Sequence, residues 1–239
     1  MPRSFKFLGV RVDDITMKTA VEYIGEAIEA KQACNVVTVN PELIMAARKN
    51  KEFKETIDKA DVVTPDGAGL VAIGRLTGRK LTERVTGVDL CEELAKQAAI
   101  KGWGVYLLGA KPGVAARAAK KLQKRYTGLT ITGTSDKDPN DFETNDIQTD
   151  IISPKTNILL VAYGSPTQEL WIKEHQKDLG NIVTIGVGGS FDFIAGTAKR
   201  APKFIQKVGL EWLWRLILQP SRWRRMLALP KFAILALFE

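Results

Sequence analysis

Asp61-Val62-Val63-Thr64-Pro65-Asp66-Gly67-Ala68-Gly69 places a β-branched run, a proline, an aspartate and two glycines in one bend, and alternating small and apolar residues follow from Leu70 to Leu76. The pattern predicts strand, tight turn and helix. In an open α/β sheet, ligands bind beyond the carboxyl ends of the strands, so Asp66 on such a turn projects into a crevice. Gly67 and Gly69 permit positive φ or a close backbone approach. A plainer arrangement uses the same residues: Asp is a favoured N-cap and Pro-Asp-Gly is ordinary turn chemistry, so Asp66 would simply cap the next helix.

Working outward from this turn, the preceding chain reads as a strand or hairpin (Phe5 to Val12), an amphipathic helix (Thr16 to Ala30) and a buried strand (Cys34 to Val39). Asn40-Pro41 supplies an N-cap and a first-turn proline for the helix that follows. Lys51 to Ala60 is a short helix. Beyond the turn, helices are predicted from Val88 to Ile100, from Gly113 to Arg125, from Phe142 to Ile152 and from Pro166 to Leu179. Strands are predicted at Gly104 to Leu108, Leu129 to Thr134, Asn157 to Tyr163 and Ile182 to Val187. This alternation predicts an α/β fold, a Rossmann-like and mostly parallel sheet with helices on both faces. A boundary near Gly196 divides a catalytic unit, 1–196, from an appendage, 197–239.

The 239 residues suffice for one large α/β domain with an appendage. Cys34 and Cys91 have no CxxC spacing and His175 is the only histidine, so neither a disulfide framework nor a structural zinc site is expected. Met1 to Leu8 lacks a signal-peptide core, which points to a cytoplasmic protein. The longest apolar run, Phe232 to Phe238, is far short of the roughly 20 residues that span a bilayer.

Charge is distributed unevenly. Residues 197–239 hold nine basic side chains against Glu211 and Glu239, which is +7 of the formal +8. Phe204 to Leu218 predicts one helix, with Lys207, Glu211 and Arg215 at i, i+4 spacing and able to pair along the surface. Pro220 stops it; Ser221 to Leu227 begins a second, basic and aromatic helix that Pro230 stops in turn. Arginines and tryptophans beside short aliphatic runs describe a segment that lies in a membrane interface, where each basic residue is worth about 1 kcal/mol near an anionic surface. Docking on the chain's own core or on a second subunit, as in a homo-oligomer, suits the apolar residues too. No nucleic-acid-binding signature accompanies the charge.

Five polar strand ends converge on the expected crevice: Thr38 with Asn40, Asp66, Gly109 to Gly113, Ser165 to Gln168, and Gly188 to Ser190. The amides of Gly109-Ala110-Lys111-Pro112-Gly113 and the helix behind them suit a diphosphate, or form a tight turn only. Arg84 either neutralises charge on a diphosphate or pairs with Glu83 in solvent. Asp136-Lys137-Asp138 has a cation-binding spacing inside a typical solvated loop, and the loop is the expectation. His175, among charged neighbours, reads as a surface residue.

Together these stretches resemble the TagA/WecG/CpsF glycosyltransferase family. The matching segments are Thr38-Val39-Asn40-Pro41-Glu42, Thr64-Pro65-Asp66-Gly67-Ala68-Gly69, Glu83 to Asp89, Leu107 to Ala110, Gly164-Ser165-Pro166-Thr167-Gln168-Glu169, and Gly189 to Phe193 with Arg200-Ala201-Pro202. They run in order over most of the chain, and the tail is the least diagnostic part. The resemblance implies inverting transfer of N-acetylmannosamine from UDP-ManNAc to undecaprenyl-diphosphate-linked N-acetylglucosamine at the inner face of the cell membrane, a step of wall teichoic acid synthesis, with no cofactor. It implies Asp66 as the base, Arg84 on the leaving UDP, and Thr38, Asn40 and Gln168 on sugar or acceptor. Gly109, Ala110 and Asp192 become nucleotide contacts. The tail's own charge adds a further expectation, that Arg222 and Arg224 touch the acceptor diphosphate. A free Asp titrates near 3.9, so a base role asks the site to raise that value or to tolerate a weak base. Two other readings stay open: a nucleotide-dependent dehydrogenase, which would need a stronger dinucleotide fingerprint, and a non-catalytic, membrane-associated UDP-sugar-binding protein.

Overall fold

The computed structural model describes residues 2–141, 146–152 and 155–239. Among the described residues the strands are β1 (Ser4–Phe7), β2 (Val10–Asp13), β3 (Cys34–Val39), β4 (Val62–Pro65), β5 (Gly104–Gly109), β6 (Thr130–Ser135), β7 (Thr156–Ala162) and β8 (Val183–Gly186). β1 and β2 form an antiparallel hairpin; the others form one sheet in the order β4-β3-β8-β7-β5-β6, parallel throughout. The helices in chain order are α1 (Met17–Glu29), α2 (Pro41–Ala47), α3 (Lys51–Lys59), α4 (Ala68–Leu76), α5 (Gly87–Lys101), α6 (Val114–Arg125), α7 (Thr167–Glu174), α8 (Gln176–Leu179), α9 (Ser190–Ala195), α10 (Lys203–Lys207), α11 (Glu211–Leu218), α12 (Trp223–Met226) and α13 (Ala228–Leu237).

Successive side chains of a strand point to opposite faces, and the buried strands divide accordingly. Val36, Leu107, Leu160 and Ile185 face a core built with α1, α5, α6 and α9. Val37, Val39 and Val63 face α2, α3, α4, the hairpin and α13. Leu108, Leu159 and Val161 face α7 and a π-helix over Ile147–Ile152. Both faces are covered, as the alternating pattern predicts.

The caps follow local chemistry. Asn40 Oδ1 accepts from the Leu43 amide at 3.1 Å, with Pro41 opening α2, and the Thr86 hydroxyl caps α5. Of the expected helix from Phe142 to Ile152, residues 142–145 lie outside the described residues. The helix expected from Pro166 to Leu179 is divided at His175, whose ring packs on Trp171 with centroids 4.7 Å apart. His175 is therefore partly buried by an aromatic neighbour rather than standing on the surface.

Two expectations for the tail change. The single helix from Phe204 to Leu218 is broken into α10 and α11 at Gly209, where φ is +77° and an added Cβ would lie 2.9 Å from the Ala68 Cβ. The break turns Glu211 and Arg215 inward: Glu211 pairs with Arg84 and Arg200, and Arg215 stacks on Phe193, so no surface ladder with Lys207 forms. Pro230 lies inside the first turn of α13, where a missing N–H costs nothing, so it starts a helix instead of stopping one.

The tail covers the body. Phe232, 1% exposed, packs against Phe7 with ring centroids 6.4 Å apart, and Glu239 accepts from the Leu8 amide and pairs with Arg79. Phe204, Val208, Ile217, Trp223, Leu227, Ile234 and Phe238 nevertheless remain exposed. No helix among the described residues is long and apolar enough to cross a membrane. Phe232→Ala removes a buried ring of a class worth about 3 kcal/mol; limited proteolysis should then cut between 219 and 231 well before the sheet unfolds, as followed by mass spectrometry.

Candidate active site

A cavity of about 150 Å³ lies beyond the carboxyl ends of β3, β4, β7 and β8, and the tail roofs it. Thr38 and Asn40 come from β3, Asp66 from the turn after β4, and Gln168 from α7. The roof consists of Arg215, Arg222 and Arg225.

The turn after β4 is pinned first by its backbone, with the Asp66 amide donating to the Val39 carbonyl at 2.7 Å. Gly67, not Asp66, occupies the N-cap of α4, and no side chain caps that helix. Gly67 adopts φ +153°, and a Cβ there would press on the Pro41 ring at 3.2 Å. Freed from capping, the Asp66 carboxylate accepts the Gly87 amide at 3.3 Å and faces the cavity. Desolvation raises its pKa to about 6, opposed by the Gly87 hydrogen bond and by Arg84; Glu211 adds to the rise and Arg215 to the opposition.

The other wall is braced by Gln168, which is buried. Its Oε1 accepts the amides of Gly164, at 3.1 Å, and Gly188, at 2.9 Å, and so ties the β7 and β8 loops together. Its Nε2 donates to Glu169 Oε1 at 2.8 Å, and the Ser165 hydroxyl donates to the same oxygen at 2.7 Å. Glu169 is 1% exposed, and burial raises its pKa against those two hydrogen bonds. Gly186 has to lack a side chain, because a Cβ would come within 2.6 Å of Gln168 Nε2. The Thr38 hydroxyl donates to the Gly186 carbonyl at 3.1 Å, joining β3 to β8 below the same floor.

Arg84 lies outside the cavity wall and meets Glu211 at 3.4 Å, not Glu83, whose carboxylate takes the Met17 amide. Glu211 also holds Arg200, which grips Asp89 at 2.6 and 2.8 Å. Burial alone would raise the Asp89 carboxyl, but the hydrogen bonds from Arg200 and Thr86 outweigh it and hold it below its ordinary value. Arg225 pairs with Glu42 at 2.9 Å. Arg222 Nε is buried with no hydrogen-bond partner among the described residues. Desolvation, then the charges of Arg215 and Arg225, lower the Arg222 pKa.

The remaining predicted residues are not gathered into this cavity. Gly109 and Ala110 have φ of +92° and +69° at the end of β5, beside Tyr163 and bonded to Ala162. Asp192, in the first turn of α9, accepts from the Thr197 hydroxyl at 2.9 Å. Arg224 is exposed over the Trp223 ring. In the D-x-D loop, Asp136 accepts the Gly113 amide at 2.7 Å and Asp138 accepts from the Asn140 backbone and side chain. Among the described residues no group of His, Cys, Asp and Glu is arranged to hold a metal ion. Sequence reasoning missed Arg215, Arg225, Glu211 and Glu169; an excess of tail cations over acidic partners was the available signal for the arginines.

The family model described as "Glycosyl transferase WecG/TagA/CpsF family" matches residues 5–239, tail included. A Bacillus subtilis (strain 168) protein named N-acetylglucosaminyldiphosphoundecaprenol N-acetyl-beta-D-mannosaminyltransferase is 36% identical over 212 residues, covering 89% of this chain and 82% of its own. A Staphylococcus aureus (strain NCTC 8325) protein of the same name is 33% identical over 228 residues, covering 94% and 89%. A family-model match across nearly the whole chain, together with relatives at 33–36% identity over most of their length, has one meaning: the chain belongs to the WecG/TagA/CpsF family of glycosyl transferases.

Proposed function

We propose that this chain transfers N-acetylmannosamine from UDP-ManNAc to undecaprenyl-diphosphate-linked N-acetylglucosamine, with inversion, in building the linkage unit of wall teichoic acid. The observation that carries the reading is the half-buried Asp66 carboxylate, with a pKa pushed up to about 6, in the cavity that the tail guanidiniums of Arg215 and Arg222 also line. A base that titrates near the working pH accepts a proton while remaining ionised enough to do so. The Arg222 Nε, buried without a hydrogen-bond partner among the described residues, supports an anion at this point. The relatives named above carry N-acetylmannosaminyl transfer to N-acetylglucosaminyldiphosphoundecaprenol in their names.

In this mechanism Asp66 takes the proton of the acceptor hydroxyl as its oxygen attacks the anomeric carbon. The bond from that carbon to the diphosphate breaks, and UDP leaves with the electron pair. One displacement inverts the anomeric centre and needs only one carboxylate. Arg84, released from Glu211, and the roof arginines neutralise the charge that builds on UDP. Thr38 and Asn40 position the sugar or acceptor, and Gln168 holds the floor beneath it. Arg222 and Arg224 meet the acceptor diphosphate; Gly109, Ala110 and Asp192 take the nucleotide end.

A cavity of about 150 Å³ is smaller than the roughly 300 Å³ that small-molecule sites begin at, so entry of a nucleotide sugar requires the roof to lift. The exposed apolar and basic side chains of 197–239 make this appendage the surface that meets the cytoplasmic face of the membrane, where the lipid acceptor resides.

The test is UDP release from UDP-ManNAc in the presence of a lipid-diphosphate N-acetylglucosamine acceptor. Acceptor-dependent release should appear, and Asp66→Asn should reduce it by on the order of 10²- to 10⁴-fold. Sugar-nucleotide binding without release would favour the non-catalytic reading. Because Asp66 must be ionised, the rate should fall as pH drops through about 6. Arg84→Met removes a charge that lowers this pKa, so the acid limb should move to higher pH in a kcat/KM profile. Arg215→Ala should cost on the order of 100-fold in kcat even with a soluble acceptor, because its side chain lines the cavity, whichever surface the tail meets.

A further inference from the structure

A second cavity, of about 420 Å³, lies between α2 and the tail. It joins the candidate active site directly, since Glu42, Leu43, Ser165 and Arg225 line both. Its apolar lining comes from Leu43, Met45 and Ala46 of α2 facing Leu227 and Ala228 of the tail. Lys49, Arg224, Arg225 and Lys231 add positive charge. Glu42 is the one acidic side chain of the lining, and it is spent on Arg225 at 2.9 Å.

An apolar trough with surplus cations that opens beside a catalytic carboxylate fits a ligand with an apolar chain and an anionic head. A sugar nucleotide has no apolar chain to place there. Leu227, Lys231 and Ile234 follow at i, i+4 and i+7 and share a helix face, so the trough continues into the exposed apolar surface of α13. The roomier cavity of about 700 Å³ between α1 and α5 has the wrong sign for a diphosphate, with Glu22, Glu26, Glu29, Glu83 and Glu93 against Lys18 and Lys101.

We propose that the groove between α2 and 224–231 seats the isoprenoid diphosphate of the acceptor. Lys49 and Lys231 add to Arg222 and Arg224 in holding the phosphates, Met45 and Leu227 flank the first isoprene units, and Arg225 at the junction exchanges Glu42 for phosphate. This assignment rests on the transferase reading above. Lys49 and Lys231 are exposed and stand outside the catalytic cavity, so their charge can be reversed without disturbing the fold or Asp66.

With a short-chain, water-soluble isoprenyl-diphosphate N-acetylglucosamine acceptor, Lys49→Glu and Lys231→Glu should each raise the acceptor KM about tenfold while leaving the donor KM unchanged. The single reversal Lys207→Glu, equal in charge to either and outside the groove, should leave the acceptor KM alone. Groove variants that behave like this control, or that raise the donor KM equally, overturn the assignment. Failure of the wild type to transfer any sugar overturns the transferase reading instead. Photolabelling then decides the groove independently: a photoreactive isoprenyl diphosphate without sugar should label 43–49 and 224–231, and the lysine reversals should abolish it. Labelling elsewhere, or displacement by phosphatidylglycerol vesicles as effective as by unlabelled isoprenyl diphosphate, counts against the proposal.

Discussion

The site depends on β3 being held in parallel register between β4 and β8. Val37 is opposite Val63 on one side and Gly186 on the other. In a parallel ladder every strand ends at the same rim, so this register alone brings Thr38, Asp66 and the Gly188 loop together from positions 150 residues apart in the chain. Tight packing makes the register costly to alter. The Gly186 backbone runs against Gln168, and Gly67 against Pro41, with no space for a Cβ at either point. The side chains that do the bracing, Thr38 and Gln168, hydrogen-bond to backbone groups of neighbouring strand ends, so the floor is fixed before any ligand arrives.

Above that floor the structure balances opposite charges across a boundary between body and tail. Asp66 is a carboxylate held in a poor solvent, which alone favours its neutral form; Arg84 and Arg215 draw it back toward ionisation. Glu211 mediates the arrangement. It neutralises Arg84 and Arg200 at once, links the tail to the Asp89 end of α5, and raises the Asp66 pKa. The positive charge of the appendage thus has two uses that composition alone merges. Part of it faces inward on the cavity, and part, with Trp223, Phe204 and Ile217, faces out.

The acidic loop at 135–141 shows how spacing misleads without partners. Its D-x-D pattern has the form of a cation site, yet Asp136 secures the Gly113 amide next to the Gly109 turn and Asp138 closes its own loop. Those carboxylates accept from backbone and side-chain amide donors in and beside the loop, as a solvated turn of this composition does.

Periodicity and turn chemistry determined, without any coordinates, the alternating α/β order, the parallel sheet with both faces covered, the cap at Asn40 and the polar strand ends; the family came from the resemblance of whole segments. These are local or nearest-neighbour properties: a β-branched run ending in Pro-Asp-Gly becomes a strand and turn wherever it sits. Only the tertiary structure decided that Asp66 is released from helix capping and partly desolvated, because both depend on Gly67 taking the N-cap and on a roof 150 residues away in sequence. It also decided that Gly209 breaks the tail helix, that Pro230 begins one, and that Glu211 and Arg215 face inward. A charge pattern records how many cations a segment carries; which of them leave water is set by the surface on which the segment lands.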